Sequence, residues 1–242
     1  MAVNQWRKVL VDGALRPLQF AILPPHCLLC GLAGGADGDL CAPCKNDIAR
    51  NDLCCPRCAL PLKTPAPMCG ECLQREPPFA GAFVPFVYGH PIDLLLMRLK
   101  FGGNLAAGRT LARLWLETHE SVHSPLPMAI VPVPLHRTRL RERGYNQALE
   151  LARPLSTTFG IKLRDDALIR SRDTAAQSGL DAVARRRNLR GAFDVIGSSL
   201  PSHVALVDDV VTSGTTVREC ADVLRRNGVS RVDVWGFARA PK

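Results

Sequence analysis

The sequence predicts an α/β protein, a mainly parallel sheet with flanking helices, preceded by a small cysteine-rich module. Three observations carry this. From about residue 80 onward, short apolar β-prone runs alternate with segments of helical period, the pattern of a parallel sheet. Eight cysteines are confined to residues 27–72, in four Cys-x-x-Cys pairs. Between the two parts, Arg75-Glu76-Pro77-Pro78 interrupts both patterns. The chain therefore reads as an N-terminal helical segment at 1–24, a cysteine module at 25–78 and an α/β domain at 79–242. At 242 residues it can hold one large domain or two smaller ones.

The pairs are Cys27/Cys30, Cys41/Cys44, Cys55/Cys58 and Cys69/Cys72, evenly spaced along the chain. Two pairs supply the four thiolates of a tetrahedral zinc site, so four pairs imply two structural zinc ions. The halves look like copies: Leu40-Cys41-Ala42-Pro43-Cys44 closes one and Met68-Cys69-Gly70-Glu71-Cys72 the other. Neighbouring pairs are therefore expected to share a metal; a cross-brace of alternate pairs is the other arrangement. Gly and Pro in the linkers make turns, and a module with so little apolar core draws much of its folding energy from metal. Closed thiolate sites leave no position for catalysis. Cys54 reads as a bystander and Cys220 as a packed thiol inside a helix.

The α/β elements follow in order. Residues 82–88 form a strand that Pro85 places at an edge. Residues 92–99 and 106–119 are helical, with Lys100-Phe101-Gly102-Gly103 between them. A strand at 128–133 precedes a helix at 145–158, which Pro154 kinks or shortens. A short strand at 167–169, a basic helix at 182–189 and a strand or turn at 192–196 come next. The strand 204–207 is apolar throughout and so buried on both faces. Helix 215–227 is capped by Asn227-Gly228, and 231–238 is the last strand.

The chemistry concentrates where strand 204–207 ends. Asp208 and Asp209 fall at its carboxyl end, where open α/β sheets bind ligands. Two adjacent carboxylates repel; a ribose diol offers both of them hydroxyl donors. Thr212, Ser213, Gly214, Thr215 and Thr216 then form a hydroxyl-rich loop at a helix N-terminus, an anion site. Gly214 lets the backbone close around a phosphate. Those parts suit a ribose that carries a phosphate.

This segment resembles the 5-phosphoribosyl-1-pyrophosphate (PRPP) motif of type I phosphoribosyltransferases. The resemblance implies that the acids hold the ribose and the 212–216 loop the 5′-phosphate. It also implies a pyrophosphate loop at Pro134, Leu135, His136 and Arg137, and Mg²⁺ accompanying PRPP. Arg139, Arg141 and Arg143, followed by Gly144-Tyr145-Asn146-Gln147, suit a phosphate-rich site. Arg170, Gln177, Arg185, Arg186 and Arg187 belong to a possible mobile lid or, with the preceding arginines and Asn146, to DNA contacts. A solvated basic face is the plainer reading of these arginines, and a hydrogen-bonding surface residue that of His136.

Together with the cysteine array, Lys100-Phe101-Gly102, Gln177-Ser178-Gly179-Leu180 and Arg187-Asn188, the chain resembles the ComF family along nearly its whole length. That resemblance implies a zinc ribbon joined to a phosphoribosyltransferase-like domain, and a role in natural transformation or in the use of internalised DNA. Phosphoribosyl transfer to an acceptor is the activity implied if the site turns over. Partners implied are PRPP or a related ligand, single-stranded DNA, and DNA-uptake proteins at the inner membrane face.

Composition agrees with those partners. Formal net charge is +9, and the excess sits on the α/β domain: residues 1–80 carry 8 Lys and Arg against 7 Asp and Glu, the remainder 23 against 15. Such a face suits polyanions. Aromatics are only 5% of the chain, which counts against base-stacking platforms. No secretory signal or membrane span is read, so a cytoplasmic location is the default, where ten cysteines are not expected to form structural disulfides. The rival reading is a non-catalytic adaptor: ribbons and basic face recruit DNA or proteins, and the α/β domain senses a phosphate ligand.

Overall fold

A computed structural model describes residues 25–35, 39–119, 125–172, 189, 191–197 and 200–242. The expected helical segment at 1–24 lies outside them, as does all of the basic helix at 182–189 except Leu189. The chain divides into two compact units, Met1–Ile48 and Ala49–Lys242. Sequence reading put both cysteine halves in one module; here the division falls between them.

The two halves are built alike, at one constant offset in the chain. In the first, Cys27 N–H donates to Leu32 O at 2.7 Å and Gly31 N–H to Cys27 O at 2.9 Å. In the second, Cys55 N–H donates to Leu60 O at 2.9 Å and Ala59 N–H to Cys55 O at 2.7 Å. A bridge between His26 and Ala33 matches one between Cys54 and Pro61. Each half ends in a short helix, α1 (Ala42–Asn46) capped by Cys41 and α2 (Gly70–Gln74) capped by Cys69.

The second unit is a parallel sheet. Its strands are β1 (Gly81–Phe83), β2 (Phe86–Val87), β3 (Ala129–Pro132), β4 (Lys162–Leu163), β7 (His203–Val211) and β8 (Arg231–Arg239). The order is β1-β8-β7-β3-β4, with β2 also on β8, and every pairing is parallel. A separate antiparallel pair joins β5 (Leu168–Arg170) to β6 (Phe193–Val195). The helices are α3 (Ile92–Phe101), α4 (Leu105–His119), α5 (Arg137–Arg143), α6 (Gln147–Phe159) and α7 (Thr215–Arg226).

Alternation along β8 sends side chains to opposite faces. Val232 and Val234 join Val217, Cys220 and Leu224 of α7 in one buried cluster. Trp235 and Phe237 instead meet Trp115 of α4, with ring centroids 5.2 and 6.2 Å away. Cys55, Cys58, Cys69 and Cys72 belong to the α7-side cluster, so the second cysteine half shares the core of the sheet.

Three elements differ from expectation for local reasons. The edge strand at 82–88 is broken into β1 and β2 at Pro85, which has no N–H for the ladder; its carbonyl accepts Asn51 N–H at 2.8 Å instead. Strand β7 does not stop at Val207 but continues through both acids, because Val210 and Val211 pair with Ala238 and Arg239 of an equally long β8. The helix expected at 145–158 starts at Gln147, and α5 precedes it. Gly144 in the left-handed region ends α5, and Asn146 Oδ1 accepts Ala148 N–H at 3.1 Å to start α6. Helix α6 runs on through Pro154.

Candidate functional site

The carboxyl ends of β3 and β7 open into a cavity of about 810 Å³. Asp208 and Asp209 lie on its floor, with Thr212 and Thr216 from the following loop. The acids sit there because β7 carries them past its apolar stretch. Asp208 Oδ1 accepts Asp209 N–H at 3.0 Å and Asp209 Oδ1 accepts Val210 N–H at 2.9 Å. Burial, and then the Asp209 carboxylate, push the Asp208 carboxyl well above the usual carboxylate range. Lys100, at the end of α3, places Nζ 3.8 Å from Asp209 Oδ2.

The 212–216 loop turns at Gly214, φ +72°, which precedes α7 as its N-cap. No atom lies within 4 Å of a Cβ built there, so conformation rather than space calls for glycine. Ser213 and Thr215 hydroxyls are 2.9 Å apart.

Helix α5 sorts the arginines that looked alike in sequence. Arg139 and Arg143, one turn apart, line the cavity. Arg137 and Arg141, also one turn apart, are exposed and do not. Arg143 stacks over Phe101 with its guanidinium carbon 5.5 Å from the ring centroid; burial lowers its pKa and the Asp209 carboxylate acts in the opposite direction. Pro134 and Leu135 line the cavity. His136 Nδ1 accepts Thr138 N–H at 3.4 Å, which caps α5. Asn146 also lines the cavity, but its amide is committed to Ala148 N–H and to Val133 O, the latter at 3.0 Å. Arg170 lines the cavity from β5, buried, with its guanidinium carbon 5.7 Å from the Phe193 ring centroid. Gln177, Arg185, Arg186 and Arg187 lie outside the described residues.

Sequence reasoning left Lys100 out of the site, and placed Tyr145 and Gln147 beside it without a role of their own. Lys100 could have been found, since it stands in a motif that carried the family resemblance. Gln147 and Tyr145 reach the cavity only because α5 and α6 meet there. Burial pushes the Tyr145 phenol up.

The metal-type residues gather in two sets of four, Cys27/Cys30/Cys41/Cys44 and Cys55/Cys58/Cys69/Cys72, each with sulfurs within 4.8 Å of one another. Neighbouring pairs thus share a site, as expected from the copied halves. Sγ atoms of Cys30 and Cys41 are 3.7 Å apart, those of Cys58 and Cys69 3.5 Å. Four thiolates about 2.3 Å from a tetrahedral zinc stand about 3.8 Å apart, so both sets fit the ion. Cys69 N–H donates to Cys55 Sγ at 3.3 Å, as to a ligating thiolate. Among the described residues, Cys54 and Cys220 stand apart from both sets. No described helix is long and apolar enough to cross a membrane.

Comparison with known proteins places this architecture. Residues 18–73 match the double zinc ribbon domain. The chain is 37% identical to DNA utilization protein YhgH of Salmonella typhi, over 90% of this chain and 98% of that protein. It is 39% identical to competence protein F of Haemophilus influenzae, over 85% and 92%, and 24% identical to competence protein ComFC of Streptococcus pneumoniae, over 88% and 99%. A purine phosphoribosyltransferase from Pyrococcus horikoshii aligns over 61% of this chain and 81% of its own, at 11% identity and a TM-score of 0.29. With two four-cysteine sites ahead of a parallel-sheet domain and relatives aligned nearly end to end, the chain belongs to the ComF family, that of competence protein F and DNA utilization protein YhgH.

Proposed function

We propose that the protein binds PRPP in the cavity at the sheet's carboxyl edge and serves the use of internalised DNA. The observation that carries this is that Asp208 and Asp209, Thr212 and Thr216 of the hydroxyl loop, and four cations, Lys100, Arg139, Arg143 and Arg170, line one cavity. The acids accept the ribose hydroxyls, the 212–216 loop donates to the 5′-phosphate, and the two arginines of α5 face the pyrophosphate. Mg²⁺, arriving with PRPP, would be held beside Asp208 and Asp209 and would supply charge neutralisation. If transfer occurs, the C1–O bond to pyrophosphate breaks with its electron pair on pyrophosphate. The acceptor then bonds to C1 and gives up a proton. The cavity's own contribution is to orient the donor and stabilise the departing anion.

Calorimetry with PRPP and Mg²⁺ tests the reading. Asp208→Ala and Asp209→Ala should each weaken binding about tenfold or more, since each removes hydrogen bonds to a charged group. No binding by the wild-type protein would sink it. Stability should move the other way. A carboxyl raised on folding binds its proton more tightly in the folded state, so its contribution is lost as pH rises from the unfolded value through the folded one. Asp208→Asn should therefore raise the ligand-free melting temperature at pH 7 while it weakens PRPP binding.

The exposed pair Arg137 and Arg141 favours a second role, contact with single-stranded DNA. Arg137→Ala/Arg141→Ala should flatten the salt dependence of DNA binding by about 1.4 log units per decade if both meet phosphate, with PRPP affinity kept. Arg139→Ala/Arg143→Ala should do the reverse. Equal effects of the two pairs on both ligands would remove this division.

A further inference from the structure

Arg239, the last residue of β8, has a relative exposure of 1%. Its Nε donates to Cys58 O at 3.1 Å, and its Nη1 donates to Val211 O at 2.8 Å, to Ala240 O at 3.1 Å and to Thr212 O. One guanidinium thus ties the second cysteine cluster to the backbone that enters the 212–216 loop. A buried guanidinium needs a compensating charge. Among the described residues no carboxylate lies within ion-pair distance of Arg239. Four thiolates around one Zn²⁺ carry a net charge of −2. A second guanidinium also faces this cluster: Arg218 of α7 has Nη2 4.0 Å from Cys72 Sγ and its guanidinium carbon 5.9 Å from the Phe79 ring centroid. Glu71 of α2 also acts on both guanidiniums, but its carboxylate is paired with Lys242 Nζ at 2.5 Å, so the thiolate cluster is the charge that contacts both arginines.

We propose that the second zinc site positions the phosphate loop: its charge retains Arg239 in the core, and Arg239 fixes the Val211 and Thr212 carbonyls that set the loop's path. Arg239 is a positioning residue, and zinc occupancy of this cluster sets the loop. The inference rests on the reading of 212–216 as the phosphate loop for its effect on ligand, and on the backbone contacts alone for its effect on loop order.

The test uses the full chain carrying Cys30→Ser, which disables the first site so that the bound zinc reports on the second. Two readouts are taken: zinc transfer to a chelator, and amide hydrogen exchange over residues 210–216 in the ligand-free protein. Arg239→Met should speed loop exchange about tenfold or more, as expected for lost charged hydrogen bonds. It should also weaken zinc retention by about 10–100-fold, the usual effect of removing a group that supports metal ligands. Arg239→Lys keeps the charge without the fork, so zinc should be retained while loop exchange still rises. Arg218→Met, which leaves every backbone contact of Arg239 in place, should weaken zinc retention even if Arg239→Met does not fold. Unchanged zinc retention in Arg218→Met, or unchanged loop exchange in a folded Arg239 variant, would overturn the proposal. PRPP titration of the same variants separates the two readings. A wild-type protein that ignores PRPP removes the proposed ligand and leaves the exchange result to judge Arg239.

Discussion

The two cysteine clusters are copies in backbone and differ in burial beyond their first cysteine, Cys27 and Cys55 both being buried. Both close a tight turn with the same pair of hydrogen bonds, and both end in a helix capped by a cysteine. Yet in the first cluster Cys30 is exposed and Cys41 and Cys44 are half-buried, while all four cysteines of the second are buried. Leu32 in the first turn is 70% exposed; Leu60, at the same place in the second, is 9% exposed. The difference teaches that metal binding and core membership are separable. Thiolate geometry is local and can be duplicated with the segment. Burial depends on what the rest of the chain packs against the copy. Here the second copy took Phe79, α7 and the ends of β7 and β8 as neighbours, and with them a place beside the candidate ligand loop.

Disabling each cluster in turn is the largest way to break this comparison. Cys58→Ser removes a buried ligand and should abolish cooperative folding of the Ala49–Lys242 unit. Structural zinc sites are worth about 10–16 kcal/mol, as much as the whole stability of an ordinary domain, about 5–15 kcal/mol. Cys30→Ser should lower zinc content from two ions to one and leave the α/β melting transition in place. Thermal circular dichroism with elemental analysis reads both. A lost transition in Cys30→Ser would make the clusters equivalent after all. The leucines come next. Leu60→Ala should cost about 2–5 kcal/mol in urea unfolding, and Leu32→Ala no more than about 0.5 kcal/mol. Similar costs would erase the burial contrast.

That contrast is what the sequence could not reveal. Cysteine spacing, apolar runs and turn residues act over a few positions, so the zinc pairs, β8, α4 and α7 were legible to within a residue or two. Leu32 and Leu60 are the same residue in the same local frame, and only tertiary packing distinguishes them. The cavity was half legible for the same reason. Asp208, Asp209 and the loop stand together in the chain and were read together. The arginines of 137–143 alternate in sequence, but a helix pairs them four apart, which sends Arg139 and Arg143 one way and Arg137 and Arg141 the other. Arg239 falls one residue past the strand read at 231–238, and its bonds to Cys58 O and Val211 O join segments distant in sequence.

A smaller effect tests how the second cluster is held to the sheet. Asn51, 5% exposed, donates through Nδ2 to Ala59 O at 2.8 Å and to Val84 O at 2.9 Å. It therefore staples the second cysteine turn to the backbone between β1 and β2. Asn51→Ala leaves two carbonyls without that donor and should cost about 1–3 kcal/mol, with zinc content kept at two. Urea unfolding at fixed zinc measures it. No loss would mean that thiolate ligation alone fixes the turn's place in the core.

The smallest effect asks whether the copies share one turn geometry. Gly31 sits at φ +78° and its counterpart Ala59 at φ +55°. An L-residue in the left-handed region costs about 1–2 kcal/mol relative to ordinary backbone. Ala59→Gly relieves that strain but frees the unfolded chain, which costs about 0.4–1 kcal/mol, and forfeits a buried methyl worth about 0.8 kcal/mol. These terms nearly cancel, so its stability should stay within about 1 kcal/mol of wild type. Gly31→Ala meets no atom within 4 Å of the new Cβ, so it takes on backbone strain without a clash and regains part of it from the unfolded state. Its net cost should be about 0–1.6 kcal/mol, read as a small fall in first-site zinc retention under chelator competition. A loss of several kcal/mol at Gly31 would mean that the first turn demands something the second does not. The two clusters would then differ in local construction as well as in surroundings.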